Sequence, residues 1–162
     1  RRLIEVNYLG AVNGLHFALP HLKQSCGHIV AIASIQSKIG VPYHTGYVAS
    51  KHALEGFCRA LRYDLEGTGV KVLTVHPHWI RGTNMRKNAC STDGKVVGDR
   101  KLAHNSESIS VAECSAAILK AVGNGDTELI VPPKLRFVPW LKLLWPSLLR
   151  RKIWNKINRQ NK

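Results

Sequence analysis

Tyr47 and Lys51 stand four residues apart in Gly46-Tyr47-Val48-Ala49-Ser50-Lys51-His52-Ala53, at the head of a long helical pattern. Four residues is about one turn, so both side chains leave the same face. A phenol beside a fixed ammonium is a proton donor made easier to ionise, because nearby positive charge favours the phenolate. Upstream, Ser34 closes the apolar run Ile29-Val30-Ala31-Ile32-Ala33, which reads as a buried strand. A hydroxyl at a strand's carboxyl end and a Tyr/Lys pair on the next helix can converge on one substrate oxygen. A lone Y-x-x-x-K carries little, since it usually marks a helix surface. Its meaning depends on the elements around it.

Residues 3–23 carry apolar side chains at Leu3, Val6, Leu9, Ala11, Val12, Leu15, Phe17, Ala18 and Leu22, a helical pattern broad enough to be largely buried. Pro20 predicts a kink or a late break. Asn7 lies inside this helix, where its amide competes with the backbone. On residue type alone it is either a helix-face amide bonded to a neighbour or a buried one that distorts the helix and holds a water. Ser25-Cys26-Gly27 marks a turn, and His28 to Ser34 the strand. Gly40, Pro42 and Gly46 punctuate a loop that must fold over the site, because Ser34 and Tyr47 flank it. Residues 46–66 form the longest amphipathic helix, with Ala49, Ala53, Phe57, Ala60 and Leu61 as its expected packed stripe, and Gly67-Thr68-Gly69 ends it.

Val70 to Val75 is a second strand, reached through a helix and therefore parallel to the first. Residues 86–108 are polar and predict a mobile loop. Ser110-Val111-Ala112-Glu113 has capping-box spacing for a helix to about Val122, stopped by Gly123-Asn124-Gly125. Thr127 to Val131 is a third short strand, closed by Pro132-Pro133. The alternation predicts an α/β fold with a parallel sheet.

Asn7 within Val6-Asn7-Tyr8-Leu9-Gly10, Ser34, and Tyr47-x-x-x-Lys51 in the context Ala49-Ser50-Lys51-x-Ala53 together resemble the Asn-Ser-Tyr-Lys set of the short-chain dehydrogenase/reductase family. Order, spacing and element type agree at once. The resemblance covers roughly residues 1–132 and implies a Rossmann-type doubly wound parallel sheet, present only as its second half. Residues 133–162 would be a basic, hydrophobic C-terminal extension. The implied activity is that of an NAD(P)-dependent oxidoreductase interconverting a secondary alcohol and a ketone, or a primary alcohol and an aldehyde, on a lipophilic small molecule.

By the same resemblance Tyr47 is the acid or base on the substrate oxygen and Ser34 holds that oxygen. Lys51 bonds the nicotinamide ribose and biases Tyr47 toward phenolate, while Asn7 anchors a water in the proton relay. Cofactor contacts fall to Tyr47, Lys51 and, from the family's Pro-Gly-x-Val-x-Thr pattern, to Pro77, Ile80 and Thr83. His78 replaces the Gly of that pattern, and Gly82 stands where Thr is expected, with Thr83 one residue later. The family's T-G-x-x-x-G-x-G turn and N-x-A-G segment do not occur in these residues. Nothing here therefore supplies helix-terminal amides for a pyrophosphate, or the residue that chooses NAD or NADP. Residues 1–162 alone are expected to bind no dinucleotide and to leave the inner sheet edge unpaired. The family's paired Asn and Tyr helices imply a homodimer or homotetramer. The alternative is a truncated, non-catalytic module that associates with a membrane or a subunit.

The chain has 162 residues, enough for one domain with a core, and 44% of them are hydrophobic. Its net charge of +14 is unevenly placed, because residues 129–162 hold nine basic and no acidic side chains. Cys26, Cys58, Cys90 and Cys114 lack metal spacing and read as reduced thiols of a cytosolic compartment. His76-x-His78 lacks a nearby acidic or third His partner in sequence, which favours a structural or loop role and no metal. In the tail, Leu135, Phe137, Val138, Trp140, Leu141, Leu143, Leu144, Trp145, Leu148, Leu149, Ile153, Trp154 and Ile157 are interspersed with basic residues. Pro139, Pro146, Arg136 and Lys142 argue against a spanning helix, which needs ~20 predominantly apolar residues. Residues 134–162 are then either an interfacial segment on anionic lipid, placing the protein peripherally on a membrane, or an arm packed on its own domain or a partner subunit. Nucleic acid is a weaker third partner, because no recognised motif accompanies the charge.

Overall fold

The structure is a computed structural model describing residues 1–85 and 108–160. In chain order its strands are β1 (His28–Ile32), β2 (Lys71–Pro77), β3 (Ile80–Arg81), β4 (Ile109–Ser110) and β5 (Glu128–Val131). Its helices are α1 (Arg2–Ile4), α2 (Gly10–Ser25), α3 (Thr45–Asp64), α4 (Val111–Asn124), α5 (Val138–Leu144) and α6 (Pro146–Gln160). The main sheet runs β1-β2-β5 and is parallel throughout, with Ile29 opposite Val72 and Val75 opposite Leu129. A second, two-residue parallel pairing joins β3 to β4. Apart from Ser108, the polar stretch expected to be a mobile loop lies outside the described residues, as does Cys90.

β2 shows why the sheet is covered on both faces. Its side chains alternate, as a strand's must. Val72 joins Ala33, Leu54, Cys58, Leu61, Leu65 and Val70 in a cluster reached by Leu15, Leu19 and Leu22 of α2. Leu73 and Val75 turn the other way and meet Ala121 of α4, with Ile118, Val122 and Leu129 around them. This is the doubly wound α/β arrangement expected, in part. Among the described residues β1 pairs with β2 alone, so its outer edge is open.

The first helix departs from expectation in two ways. It contains no buried residue, and Leu3, Val6, Leu9 and Phe17 are exposed. The pattern is wide because several faces are apolar, but among the described residues it is the Leu15, Leu19 and Leu22 face that packs on the core. The helix also runs on through Pro20 to Ser25, where Cys26 turns left-handed (φ 48°). Gly69 (φ +80°) lies against that turn, and a Cβ there would stand 2.7 Å from Cys26 Sγ, so glycine is required. α3 is buried through Ser50, Leu54, Glu55, Cys58 and Leu61, whereas Ala49 and Ala60 are exposed. The expected alanine stripe is displaced by about one residue around the helix. α4 carries the expected capping box, Ser110 and Glu113 bonding reciprocally, and ends at Gly125 (φ 73°).

Among the described residues no helix is long and apolar enough to cross a membrane. The tail folds back on the loop between Ser34 and Tyr47. Lys142 Nζ donates to the Lys38 carbonyl at 2.9 Å, Leu149 is buried, and Trp154 lies against Tyr43 with ring centroids 6.5 Å apart. Phe137, Trp140, Leu143, Leu144 and Trp145 remain outside, 58–72% exposed. The tail is therefore an arm packed on its own domain that still carries an uncovered apolar ridge.

Candidate active site

The strand β1 ends just before Ser34, which caps a 3-10 turn over Ile35–Ser37: Ser34 Oγ accepts from the Gln36 amide at 3.2 Å. The loop then returns to α3, passing through Tyr43 in a left-handed conformation (φ 63°), strained for a bulky residue. Tyr47 and Lys51 lie in the first turns of α3. Lys51 Nζ donates to the Ile32 carbonyl at 2.9 Å, at the carboxyl end of β1, and sits 5.8 Å from the centroid of the Tyr47 ring. The Ser34 hydroxyl is near enough to the Tyr47 phenol to act on its titration, lowering it. Ser34, Tyr47 and Lys51 are thus brought together as the sequence predicts.

Asn7 joins them through α3. The helix is π-wound over Glu5–Leu9, with Asn7 at the centre of the widened turn. Its Nδ2 donates to Ser50 Oγ at 3.0 Å, and Ser50 donates in turn to the Tyr47 carbonyl at 2.8 Å. The helix is distorted at Asn7 as one reading has it, but the residue is half-buried and its amide nitrogen bonds a neighbouring hydroxyl as the other has it. Ser50 is fully buried, and sequence reasoning passed over it. Its signal lay in position: it sits on the packed stripe, where a serine needs an internal partner.

Burial dominates the electrostatics of both Tyr47 and Lys51. Burial pushes the Tyr47 phenol above its ordinary range, and the Ser34 hydroxyl only partly offsets this. Burial also lowers Lys51, whose ammonium is turned onto the Ile32 carbonyl. Desolvation is the larger influence on the phenol and favours its neutral form. A neutral phenol backed by a serine hydroxyl can donate a proton to an oxygen that becomes negative.

The remaining predicted residues lie after β2. Pro77 is buried at the end of β2, opposite Val131. His78 donates its amide to Val131 O at 2.8 Å and is absent from the positive-φ residues, so no glycine is needed there. Ile80 is half-buried in β3. Thr83 is exposed, and its hydroxyl caps its own turn on the Ile80 carbonyl at 3.4 Å. No described contact ties Thr83 to Tyr47 or Lys51.

Behind Ser34 lies a polar cluster that the sequence left scattered. Lys38 donates to Glu55 Oε1 of α3 and, at 3.0 Å, to Glu128 Oε2 of β5. His76 of β2 is wholly buried, with Nδ1 2.9 Å from Ser37 Oγ and 3.2 Å from the Ser34 carbonyl. Glu55, His76 and Glu128 offer ligand atoms within 4.8 Å of one another, so acidic partners for His76 do exist in space though not in sequence. The Lys38 ammonium bridges both carboxylates, and it supplies the positive charge a metal would bring. On Glu55 burial acts upward, but the polar groups of Lys38 and Ser37 outweigh it and hold the carboxyl below its ordinary value.

Burial, with Lys38 adding to it, lowers His76 below 6.5. An unfolded chain then takes up this proton at a higher pH than the folded one. Stability should hold above pH ~6.5 and fall as pH drops below it, because the unfolded state binds more protons there. Urea midpoints followed from pH 7.5 down to 5.5, at intervals of roughly half a unit, should decline in the parent and flatten in His76→Asn.

Against known proteins, the family model described as short chain dehydrogenase matches residues 1–94. Dehydrogenase/reductase SDR family member 7B of Danio rerio is 34% identical over 166 residues, covering 99% of this chain and 52% of that protein. The Mus musculus protein of the same description is 34% identical over 169 residues, covering 100% of this chain and 50% of its own length. The chain spans about half the length of these curated relatives. Among solved structures, a short chain dehydrogenase from Burkholderia cenocepacia in complex with NADP aligns with TM-score 0.74 at 23% identity, over 93% of this chain and 56% of that one. A short-chain dehydrogenase from Streptomyces avermitilis aligns with TM-score 0.69 at 24% identity, over 100% and 63%. These likenesses carry the fold, and the family model extends over more than half of the sequence, through Asn7, Ser34, Tyr47, Lys51 and the end of β2. The chain belongs to the short chain dehydrogenase family.

Proposed function

We propose that this chain is the catalytic half of an NAD(P)-dependent oxidoreductase that interconverts an alcohol and a carbonyl on a lipophilic small molecule. The observation that carries the reading is the meeting of Ser34, Tyr47 and Lys51 at the carboxyl end of β1. Residues 1–132 are then the second half of a Rossmann-type domain, and residues 133–162 its extension. The open edge of β1 is where further strands would pair.

In this reading Ser34 and Tyr47 share the substrate oxygen. A carbonyl gaining a hydride becomes an alkoxide, which needs a proton donor within hydrogen-bond reach. Tyr47, held neutral by burial, gives that proton, and Ser34 donates a hydrogen bond that strengthens as charge develops. Lys51 has three donor hydrogens, of which the Ile32 carbonyl takes one, so it can hold a ribose hydroxyl as well. Asn7 fixes the Tyr47 turn through Ser50 and leaves its amide oxygen for a relay water. A bound dinucleotide supplies the hydride, with Pro77, Ile80 and Thr83 as its further contacts at the nicotinamide end. Exposed Val6, Leu9 and Phe17 on the first helix and Ala49 and Ala60 on α3 support pairing with a second copy, as homodimer or homotetramer.

With a dinucleotide-binding half preceding residue 1, Tyr47→Phe should lower turnover by ~10² or more while keeping its packing and cofactor affinity. A Phe variant that reduces carbonyls at near-parental rate would place the acid elsewhere.

A second reading concerns the tail and has its own support. Phe137, Trp140, Leu143, Leu144 and Trp145 form an exposed apolar ridge in a segment with nine basic and no acidic residues. We infer a peripheral attachment to anionic lipid, the ridge entering the headgroup layer and the cations facing phosphates. Residues 1–162 should cosediment with phosphatidylserine-containing vesicles, with tryptophan emission shifted to the blue, and high salt should weaken the binding. Equal binding to neutral vesicles in high salt would remove the electrostatic part of this reading, and no binding to either would remove it altogether.

A further inference from the structure

A buried ion pair needs a reason. Lys38 and Glu55 have side chains 6% and 8% exposed, and such pairs seldom stabilise a fold more than apolar residues of the same shape would. What this pair does is join particular elements. Lys38 directly follows the 3-10 turn that Ser34 caps, and Glu55 lies on α3 one turn beyond Lys51. Glu128 adds β5, at the far side of the sheet. The same turn is fixed a second time from β2. Ser37 Oγ donates to the Ser34 carbonyl at 2.6 Å and stands 2.9 Å from His76 Nδ1. The single Ser37 proton goes to an acceptor-only group, the Ser34 carbonyl. Its oxygen therefore accepts from His76, whose Nδ1 carries the hydrogen.

We propose that Lys38, Glu55 and His76 are positioning residues: they lock the turn after Ser34 onto the Tyr47 helix, so that the Ser34 hydroxyl faces the Tyr47 phenol. The roles follow from placement. Ser34 hangs from the end of β1 and Tyr47 from the head of α3, joined by a loop that contains the strained Tyr43. Glycine and proline in that loop do not fix a distance between its ends. The cluster does, because four elements meet in it and each contributes a charged or hydrogen-bonded group. The tail touches the same point, through Lys142 on the Lys38 carbonyl. The lock acts on the ground geometry and transfers no proton itself. The inference rests on the oxidoreductase reading only for its kinetic consequence.

The test compares the parent with Lys38→Met/Glu55→Leu, which replaces the pair by apolar residues of similar length. Its urea midpoint should equal or exceed the parental one. In protein labelled with ¹³C at the tyrosine Cζ, the Tyr47 titration should move upward, because the Ser34 hydroxyl that partly offsets burial no longer faces the phenol. Ser34→Ala should produce the same shift, and the three changes combined should add nothing. In the protein completed by a dinucleotide-binding half, kcat should fall on the order of tenfold with cofactor affinity unchanged, and the loss should vanish in the Ser34→Ala background. Should the double variant fail to fold, His76→Leu should shift Tyr47 and His76→Asn, which keeps an N–H in place of Nδ1, should restore it. A folded variant whose Tyr47 titrates as in the parent overturns the proposal. A parent that transfers no hydride speaks against the oxidoreductase reading instead, and the titration still decides this one.

Discussion

Tyr47, Lys51, Leu54, Cys58 and Leu61 follow one another at spacings of four, three, four and three, and that single stripe sets the rest of the structure. Its lower part is buried against Val72, Ala33 and the first helix. Its upper part carries Tyr47 and Lys51, to which the proposed chemistry falls. Once Leu54, Cys58 and Leu61 are packed, α3 has one rotation left, and that rotation points Tyr47 and Lys51 at the end of β1. The hydrophobic effect thus aims two polar groups that it does not itself bury completely. Ser50 and Glu55 flank the same stripe, and each takes a partner from another element, Asn7 and Lys38.

The fold was legible where periodicity was strong. The three strands, the crossover helices and the capping box at Ser110 fall within a few residues of their sequence positions. Ser34, Tyr47 and Lys51 also meet as their spacing suggests, because they sit at element ends, where chain order and spacing survive folding. Legibility failed where burial depends on what lies across from a residue. The first helix is apolar on several faces, and periodicity cannot say which face meets protein. The alanines of α3 look like a packing stripe, but the larger neighbours Leu54 and Cys58 fill the cluster. Glu55 and His76 show the same limit. Their partners lie 17 and 39 residues away in Lys38 and Ser37, and no local pattern announces such a meeting.

The electrostatics changed the account of the site more than the geometry did. A lysine four residues from a tyrosine suggests a phenolate, yet desolvation weighs against charge on both groups. In the proposed reading Tyr47 is the acid, kept neutral by burial, and Lys51 is a donor resting on a backbone carbonyl. That division suits proton delivery to a new alkoxide, with Lys51 free to hold a ribose. The tail adds a physical link of a different kind: it rests on the Ser34–Tyr47 loop through Lys142 and Trp154, while its exposed aromatic residues stay uncovered.

The most direct test of the account follows the hydride. The protein completed by a dinucleotide-binding half is given a lipophilic ketone and a reduced nicotinamide cofactor with both C4 hydrogens replaced by deuterium, and the alcohol is examined by mass spectrometry. The account predicts deuterium on the carbinol carbon, with one label gained for each cofactor oxidised. Alcohol formed without label, or cofactor that remains reduced in the presence of a ketone the protein binds, would contradict it.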